Sequence, residues 1–526
     1  MPTTDTLVDS LSSLQRIDQV LQRGDPRAPC ASFEGRHWTY GAFNALVDTA
    51  AQALAAAGLR AGDRLALLST PRPEYLLLLM AASRIGAVYL GLNPRHTAAE
   101  IAQALRRARP RLVLTLRRFE GQEFLPLFHL AAAQQPAPPV CAFDDLDSCL
   151  VALGSLPTLP PAAPSTPDAA LARTAAIVFT SGTTGQPKPA MLTHAGLLLA
   201  AAVQHLRLNP PAPARARLLC HLPINHVGCL MNLTLGALAG GGSVVFQQRF
   251  SAAHTLQLLV DEGINCWLQA PAMFHACVDH PDFNPRALSH LHSVCIGGGA
   301  PSARVIQALR STGAGLFVEY GQTETCSSGA YSDPGASDEV LTHCVGRFDP
   351  HFDLRIAHPD GRTCADGEVG EIQARGALVF AGYFDDADAT RAAFTPDGWL
   401  HTGDLAERRA DGCILLRGRL KEMIKSGGYN VYPREVELVL EGHPAVGQVV
   451  VVGLPDDRYG EAVHAVLTLR APATRRSDLL DCCRASLANY KVPKSFRVID
   501  SFALLPNGKI DRVGTRAAAS SLPALD

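Results

Sequence analysis

Residues 179–189 read FTSGTTGQPKP. Thr180, Ser181, Thr183 and Thr184 offer hydroxyl donors, while Gly182 and Gly185 let backbone N–H groups converge on an anion. Lys188 adds a mobile positive charge. The natural target of such a loop is a polyphosphate. A Walker-type loop needs Gly-Lys-[Ser/Thr] opening a helix directly. Here Lys188 lies beyond Gly185 and stands between Pro187 and Pro189, so no helix starts there in that way.

Four further segments carry chemistry-bearing residues in order along the chain: YGQTET (320–325), WLHTGDLA with Asp404, GRLKEMIKSGGYNVYPREVE (418–437) and LPNGKIDR with Lys509. Taken singly, Asp404 suits a turn, Lys509 a solvated lysine and Arg419 a surface cation. Taken together with the 180–188 loop, they resemble the adenylate-forming superfamily of acyl-CoA synthetases, amino-acid adenylation domains and beetle luciferases. The resemblance runs from about Pro26 to Arg512 and favours the acyl-CoA synthetase branch.

That resemblance implies ATP, Mg2+ and coenzyme A, and a reaction in two halves: a carboxylate attacks the ATP α-phosphate, then a thiol displaces AMP. It assigns Mg2+ to Glu324 and the Thr180 hydroxyl, since a hard cation prefers oxygen. The loop Thr180, Ser181, Gly182, Thr183, Thr184, Gly185 and Lys188 would cover the phosphates. Tyr320, Gly321, Gln322 and Thr323 would meet the nucleotide, with Tyr320 near the adenine and Gly298, Gly299 and Ala300 along the base edge. Asp404, backed by Arg419, would hold the ribose hydroxyls. Lys509 would bridge the substrate carboxylate and the α-phosphate, where charge develops. His226 sits where the family often has a histidine or aromatic beside the carboxylate. Lys421 is the implied hinge, with Lys425 and Asn430 near the reacting groups in some relatives and Gly427 and Gly428 lining a pantetheine tunnel. Where the family usually has glycine, this chain has Pro189, which bears on how freely the loop moves.

The elements that must position these residues follow from hydropathy patterning. DRLALLS, AVYLGLNP and RLVLTL read as strands, EYLLLLMAASRIGA and TAAEIAQALRRA as helices: the rhythm of an α/β domain with parallel strands. The Pro- and Ala-rich run between Pro136 and Pro167 reads as a surface connection. A second α/β stretch spans about Ala175 to Gly329, with strands AAIVFT, GSVVFQ and SVCIGG. Short strands follow after Ser332, and mixed α and β from Lys421. The expected fold is α/β: a large N-terminal region of two α/β subdomains plus a small β-rich subdomain, and a small α+β C-terminal domain joined by a hinge. The boundaries are 1–420 for adenylation and 421–526 for the mobile domain.

The acyl pocket is expected around PINHVGCLMNL, APAMFHA, IGGGAP and the residues after Glu324, with Gly228, Cys229, Leu230, Met231, Met273, Gly297 and Cys326 making it small and apolar. No Asp or Glu occurs between Asp168 and Asp261, which argues against an amino-acid substrate, because a buried ammonium needs a partner. The expectation is a carboxylate–CoA ligase for a medium-chain fatty or aromatic acid, the alternative being transfer to a carrier protein. A net charge of −2 gives no reason to expect nucleic acid. The 14 cysteines show no metal-ligand spacing and suit reduced, buried thiols in a cytoplasmic chain. No apolar run approaches a membrane span. Monomer and homodimer are both left open.

Overall fold

The computed structural model describes residues 4–132, 138–159, 169–180, 187–210, 214–471, 473–503 and 510–525. The chain forms two compact units: 1–354 with 374–400, and 355–373 with 401–526.

The first unit is built on two mostly parallel sheets. One has the order Lys188–Thr193, Thr174–Thr180, Val88–Leu92, Arg64–Leu68, Leu112–Leu116, Val140–Phe143, parallel except for the antiparallel edge strand Lys188–Thr193. Its central strands are buried along almost their whole length, as strands covered on both faces must be. The helix Pro73–Arg84, apolar on nearly every face, is buried throughout all but its last residue, whereas Ala98–Ala108 keeps a polar face and opens with a Thr97–Glu100 capping box.

The other sheet has nine strands, ordered Arg347–Phe348, Ser327–Tyr331, Gly315–Gln322, Ser293–Gly297, Cys266–Gln269, Arg217–Cys220, Ser243–Phe246, Pro29–Phe33, Arg36–Thr39. Its centre is parallel and its edges are antiparallel.

Two features differ from the sequence reading. The run between Pro136 and Pro167 is not only a connection. Val140–Phe143 forms the last strand of the six-stranded sheet, and the helix Leu146–Gly154 follows, capped by Asp145. The flanking prolines conceal a short apolar run that finds its partner in Leu112–Leu116. The sheets also do not follow chain order. Thr174–Thr180, which opens the second α/β stretch, pairs with Val88–Leu92, while Pro29–Phe33 from the N-terminal end joins the nine-stranded sheet beside Ser243–Phe246.

The second unit carries most of a four-stranded sheet, Asp353–Ala357, Val369–Arg375, Leu400–Arg408 and Ile414–Arg419, the short strands expected from the sequence. It also holds a five-stranded sheet around the long hairpin Val446–Asp456/Gly460–Leu469. Val436 and Leu440 of the helix Pro433–Glu441 and Leu479 and Cys483 of Arg476–Ser486 pack into that sheet's core. All the cysteines are free and most are buried. Among the described residues no helix is long and apolar enough to cross a membrane.

Candidate active site

Parallel strands align their carboxyl ends, and in open α/β sheets ligands bind there. In the nine-stranded sheet four adjacent strands, Arg217–Cys220, Cys266–Gln269, Ser293–Gly297 and Gly315–Gln322, lead respectively into HLPINH, APAM, GGAP and the TETC turn. Segments distant in sequence therefore share one edge. Gly298, Gly299 and Ala300 are exposed there, with Gly299 close against Pro271. Tyr320, Gln322 and Thr323 are half-buried and Gly321 is exposed.

The turn that presents Glu324 is tightly made. A Cβ on Gly321 would lie 1.9 Å from the Ser327 carbonyl oxygen, so only glycine fits. Thr323–Thr325 form one 3-10 turn, and Cys326 and Ser327 then take φ of +51° and +122°, conformations that cost L-residues energy. The Thr325 hydroxyl donates to the Ser327 carbonyl at 2.7 Å, and the Phe380 N–H donates to the Glu324 carbonyl at 2.9 Å. These contacts fix the backbone that carries the half-buried Glu324 side chain.

Its nearest partner is Tyr383, which sequence reasoning missed. The Tyr383 hydroxyl donates to Glu324 Oε1 at 2.9 Å. Burial, reinforced by Glu324, pushes the phenol well up, so it stays a donor. The Thr180 side chain stands beside the same phenol and draws its pKa partway back down, and Lys188 Nζ stands 5.1 Å from the ring centroid. Thr180 and Lys188 are cross-strand neighbours, and an antiparallel bridge between Ala190 and Tyr383 brings the tyrosine alongside. Pro189 belongs to this arrangement: it lies on the sheet's edge strand, where a missing N–H is tolerated, and its carbonyl accepts from Phe384 N–H at 2.8 Å. The only sequence signal for Tyr383 is an aromatic after glycine in FAGYFDD, which does not say what it touches.

His226 is half-buried, and its Nδ1 accepts from the Gly228 N–H at 3.0 Å. Of the expected pocket residues, Met273 and Gly297 keep accessible surface, whereas Cys229, Leu230, Met231 and Cys326 are fully buried in the core. The phosphate-loop positions Ser181, Gly182, Thr183, Thr184 and Gly185 lie outside the described residues, as does Lys509.

In the second unit Asp404 and Arg419 are cross-strand partners, joined Nε to Oδ1 at 2.9 Å. Asp404 is buried and Arg419 half-exposed, so the aspartate is held with a fixed orientation. Gly427 and Gly428 close a two-residue hairpin between Ile424–Ser426 and Tyr429–Val431, with φ of +59° and +85°, a turn that itself calls for glycine. Lys425 is exposed on that hairpin, opposite Asn430. His358, Cys364 and Glu368 also cluster in this unit. Glu368 accepts there from His358, Arg362 and the Ala365 N–H, contacts that draw its carboxyl down to about 2 and mark an ion-paired turn.

The oxygen donors of Glu324 and Thr180, gathered on one phenol beside a lysine, fit a hard divalent cation and the phosphates it accompanies. The AMP-binding enzyme family matches residues 18–384, and the AMP-binding enzyme C-terminal domain matches 435–509. The chain is 34% identical to the indoleacetate–CoA ligase of Aromatoleum aromaticum, covering 94% of this chain and 95% of that protein. It is 34% identical to the medium/long-chain-fatty-acid–CoA ligase FadD8 of Mycobacterium tuberculosis, covering 89% and 83%. ATP-bound MatB from Rhodopseudomonas palustris superposes with a TM-score of 0.83 at 26% identity, over 96% of this chain and 98% of that one. The chain belongs to the AMP-binding enzymes, the adenylate-forming superfamily, on its acyl-CoA synthetase branch.

Proposed function

We propose that this acyl-CoA synthetase acts in the cytoplasm on a medium-chain fatty or aromatic acid, with Glu324, Thr180, Lys188 and Lys509 as its phosphate and carboxylate machinery. The enzyme is an AMP-forming acid–thiol ligase using ATP, Mg2+ and coenzyme A. The acid class rests on two relatives, one named for an aromatic acid and one for fatty acids, that match the chain almost end to end. The observation that carries the residue assignment is the convergence of Glu324, Thr180 and Lys188 on Tyr383.

In-line attack between two anions needs positioning and charge neutralisation more than covalent chemistry. Bound Mg2+ would lower the repulsion between phosphate oxygens and the incoming carboxylate. Glu324 holds its carboxylate still through Tyr383, so the cation's ligand is oriented before substrate arrives. Lys188, held over the Tyr383 ring, is placed to meet phosphate oxygens. His226 orients the substrate carboxylate, and Lys509 bridges it to the α-phosphate. Tyr320 with Gly321, Gln322 and Thr323 holds the nucleotide along the Gly298–Ala300 edge, and Asp404, fixed by Arg419, accepts from the ribose. The domain of residues 421–526 pivots at Lys421 between the half-reactions, placing Lys425, Gly427 and Gly428 at the thiol step.

The test is pyrophosphate release over aliphatic and aromatic acids, with AMP release followed with and without coenzyme A. Acid-dependent pyrophosphate with coenzyme-A-accelerated AMP release is the expected result. Acid-dependent pyrophosphate that coenzyme A leaves unchanged would overturn the acceptor assignment.

A further inference from the structure

No acid occurs between Asp168 and Asp261, the stretch that holds the first expected segment of the acyl pocket. The fold supplies one from elsewhere. Glu319, next to Tyr320 on Gly315–Gln322, pairs in register with Gly297 at the carboxyl end of the neighbouring parallel strand. A Cβ built on Gly297 would lie 2.6 Å from Glu319 Oε1, so the absent side chain makes room for the carboxylate. From the other side Asn232, in the GCLMN segment expected to line the pocket, donates Nδ2–H across both Glu319 oxygens at 3.2 and 3.3 Å. Asn232 is itself held by Gln204 Oε1 at 3.0 Å and by the Ser327 hydroxyl at 2.5 Å. Ser328 and Cys295 stand beside the carboxyl and partly offset the upward push that burial gives it.

Two features separate this carboxylate from an ordinary core residue. Asn232 Nδ2 is shared across both oxygens of a group with about four lone-pair sites, so accepting capacity remains. Glu319, Gly297 and Tyr320 also keep part of their surface at the carboxyl ends of the two strands, although the Glu319 carboxyl itself lies deep. Burial against water with its neighbours neutral raises the carboxyl to about 7. A group made this costly is stabilised by a donor that fills the remaining site.

We propose that Glu319 is a specificity-determining residue of the acyl pocket, accepting a hydrogen bond from a hydroxyl or N–H on the acyl part of the substrate. This rests on the ligase reading above and narrows it: among fatty and aromatic acids, the preferred substrate carries a neutral donor away from its carboxylate. Asn232 and Gly297 are positioning residues, one orienting the Glu319 carboxylate and the other leaving it space.

The experiment compares kcat/KM for pairs of acids that differ only in the donor: 3-(4-hydroxyphenyl)propanoate with 3-phenylpropanoate, indole-3-acetate with its N-methyl derivative, and 10-hydroxydecanoate with decanoate. In at least one pair the donor-bearing acid is expected to be favoured by about tenfold or more, the scale of one hydrogen bond to a charged acceptor. Glu319→Gln, of the same shape, should collapse that ratio towards unity. Gly297→Ala, which drives the carboxylate aside, gives the same readout should Glu319→Gln fail to fold. Equal turnover within every pair, or a ratio that survives in a folded variant, overturns the role of Glu319 alone. A complete absence of acid-dependent AMP formation overturns the ligase reading instead.

Discussion

Tyr383→Phe is the sharpest test of how the cation ligand is held. The substitution removes the hydroxyl that donates to Glu324 at 2.9 Å and leaves the ring in place. The edge contact with Phe380, at 4.9 Å between centroids, and the approach of Lys188 at 5.1 Å both survive. A hydrogen bond to a charged group contributes about 1.5–3 kcal/mol. Glu324 is only half-buried, so water replaces part of the lost contact and the lower end of that range applies. About 1.5 kcal/mol corresponds to roughly a tenfold change in an equilibrium or rate ratio. The assay is acid-dependent ATP–pyrophosphate exchange titrated with Mg2+. The half-saturating Mg2+ concentration is expected to rise, or kcat/KM for ATP to fall, by about tenfold, with the KM for the acid within twofold of wild type. Tyr383→Leu, which also removes the ring under Lys188, should lose more. Exchange within twofold of wild type in Tyr383→Phe, while Glu324→Gln abolishes it, would refute the claim that Tyr383 orients Glu324.

Gly321→Ala should destabilise the first unit severely, because its Cβ would meet the Ser327 carbonyl at 1.9 Å; urea unfolding of the purified variant, or its failure to accumulate in soluble form, reads this out. Arg419→Ala frees the buried Asp404 from its 2.9 Å partner and should raise the KM for ATP several-fold without comparable change in the KM for the acid, measured by AMP formation. Lys509→Ala should cut acid-dependent pyrophosphate release by about 10²–10³-fold. Turnover of supplied acyl-adenylate with coenzyme A should fall far less. The preference for donor-bearing acids should grow as pH rises through about 7, where Glu319 ionises and becomes the stronger acceptor. The titratable groups facing it, Cys295 and Tyr331, are pushed up by burial and stay neutral over that range, so a ratio flat from pH 6 to 8 would count against the assignment.

Much of the site was legible because its residues come in contiguous strings. The Asp404–Arg419 pairing follows from two short strands meeting in register, and Glu324 from a turn whose glycine and threonines lie next to it in sequence. Tyr383 and Glu319 were not legible, for the same physical reason: each acquires its role from a partner far along the chain. Tyr383 gains its meaning from the bridge to Ala190, and Glu319 from its register with Gly297 and its contact with Asn232. Glu319 lies on the strand beside Gly297, outside the segments that carry the rest of the expected pocket. The fold shows the same limit. Individual strands were readable from apolar runs, but which sheet each would join was not, and Val140–Phe143 is too short to stand out between prolines.

The strand exchange between the two sheets has a consequence for synthesis. The Tyr40 hydroxyl bonds the Gly242 carbonyl 202 residues onward, beside the place where Pro29–Phe33 meets Ser243–Phe246. At ribosomal rates of about 5–20 residues per second, the N-terminal hairpin waits roughly 10–40 s for its partner strand. The six-stranded sheet has its last strand at Thr193 and can close earlier. During the interval Cys30, Ala31, Ser32 and Phe33, all buried in the finished protein, have no sheet to cover them. This apolar strand is therefore open to misassociation until Ser243–Phe246 has been made.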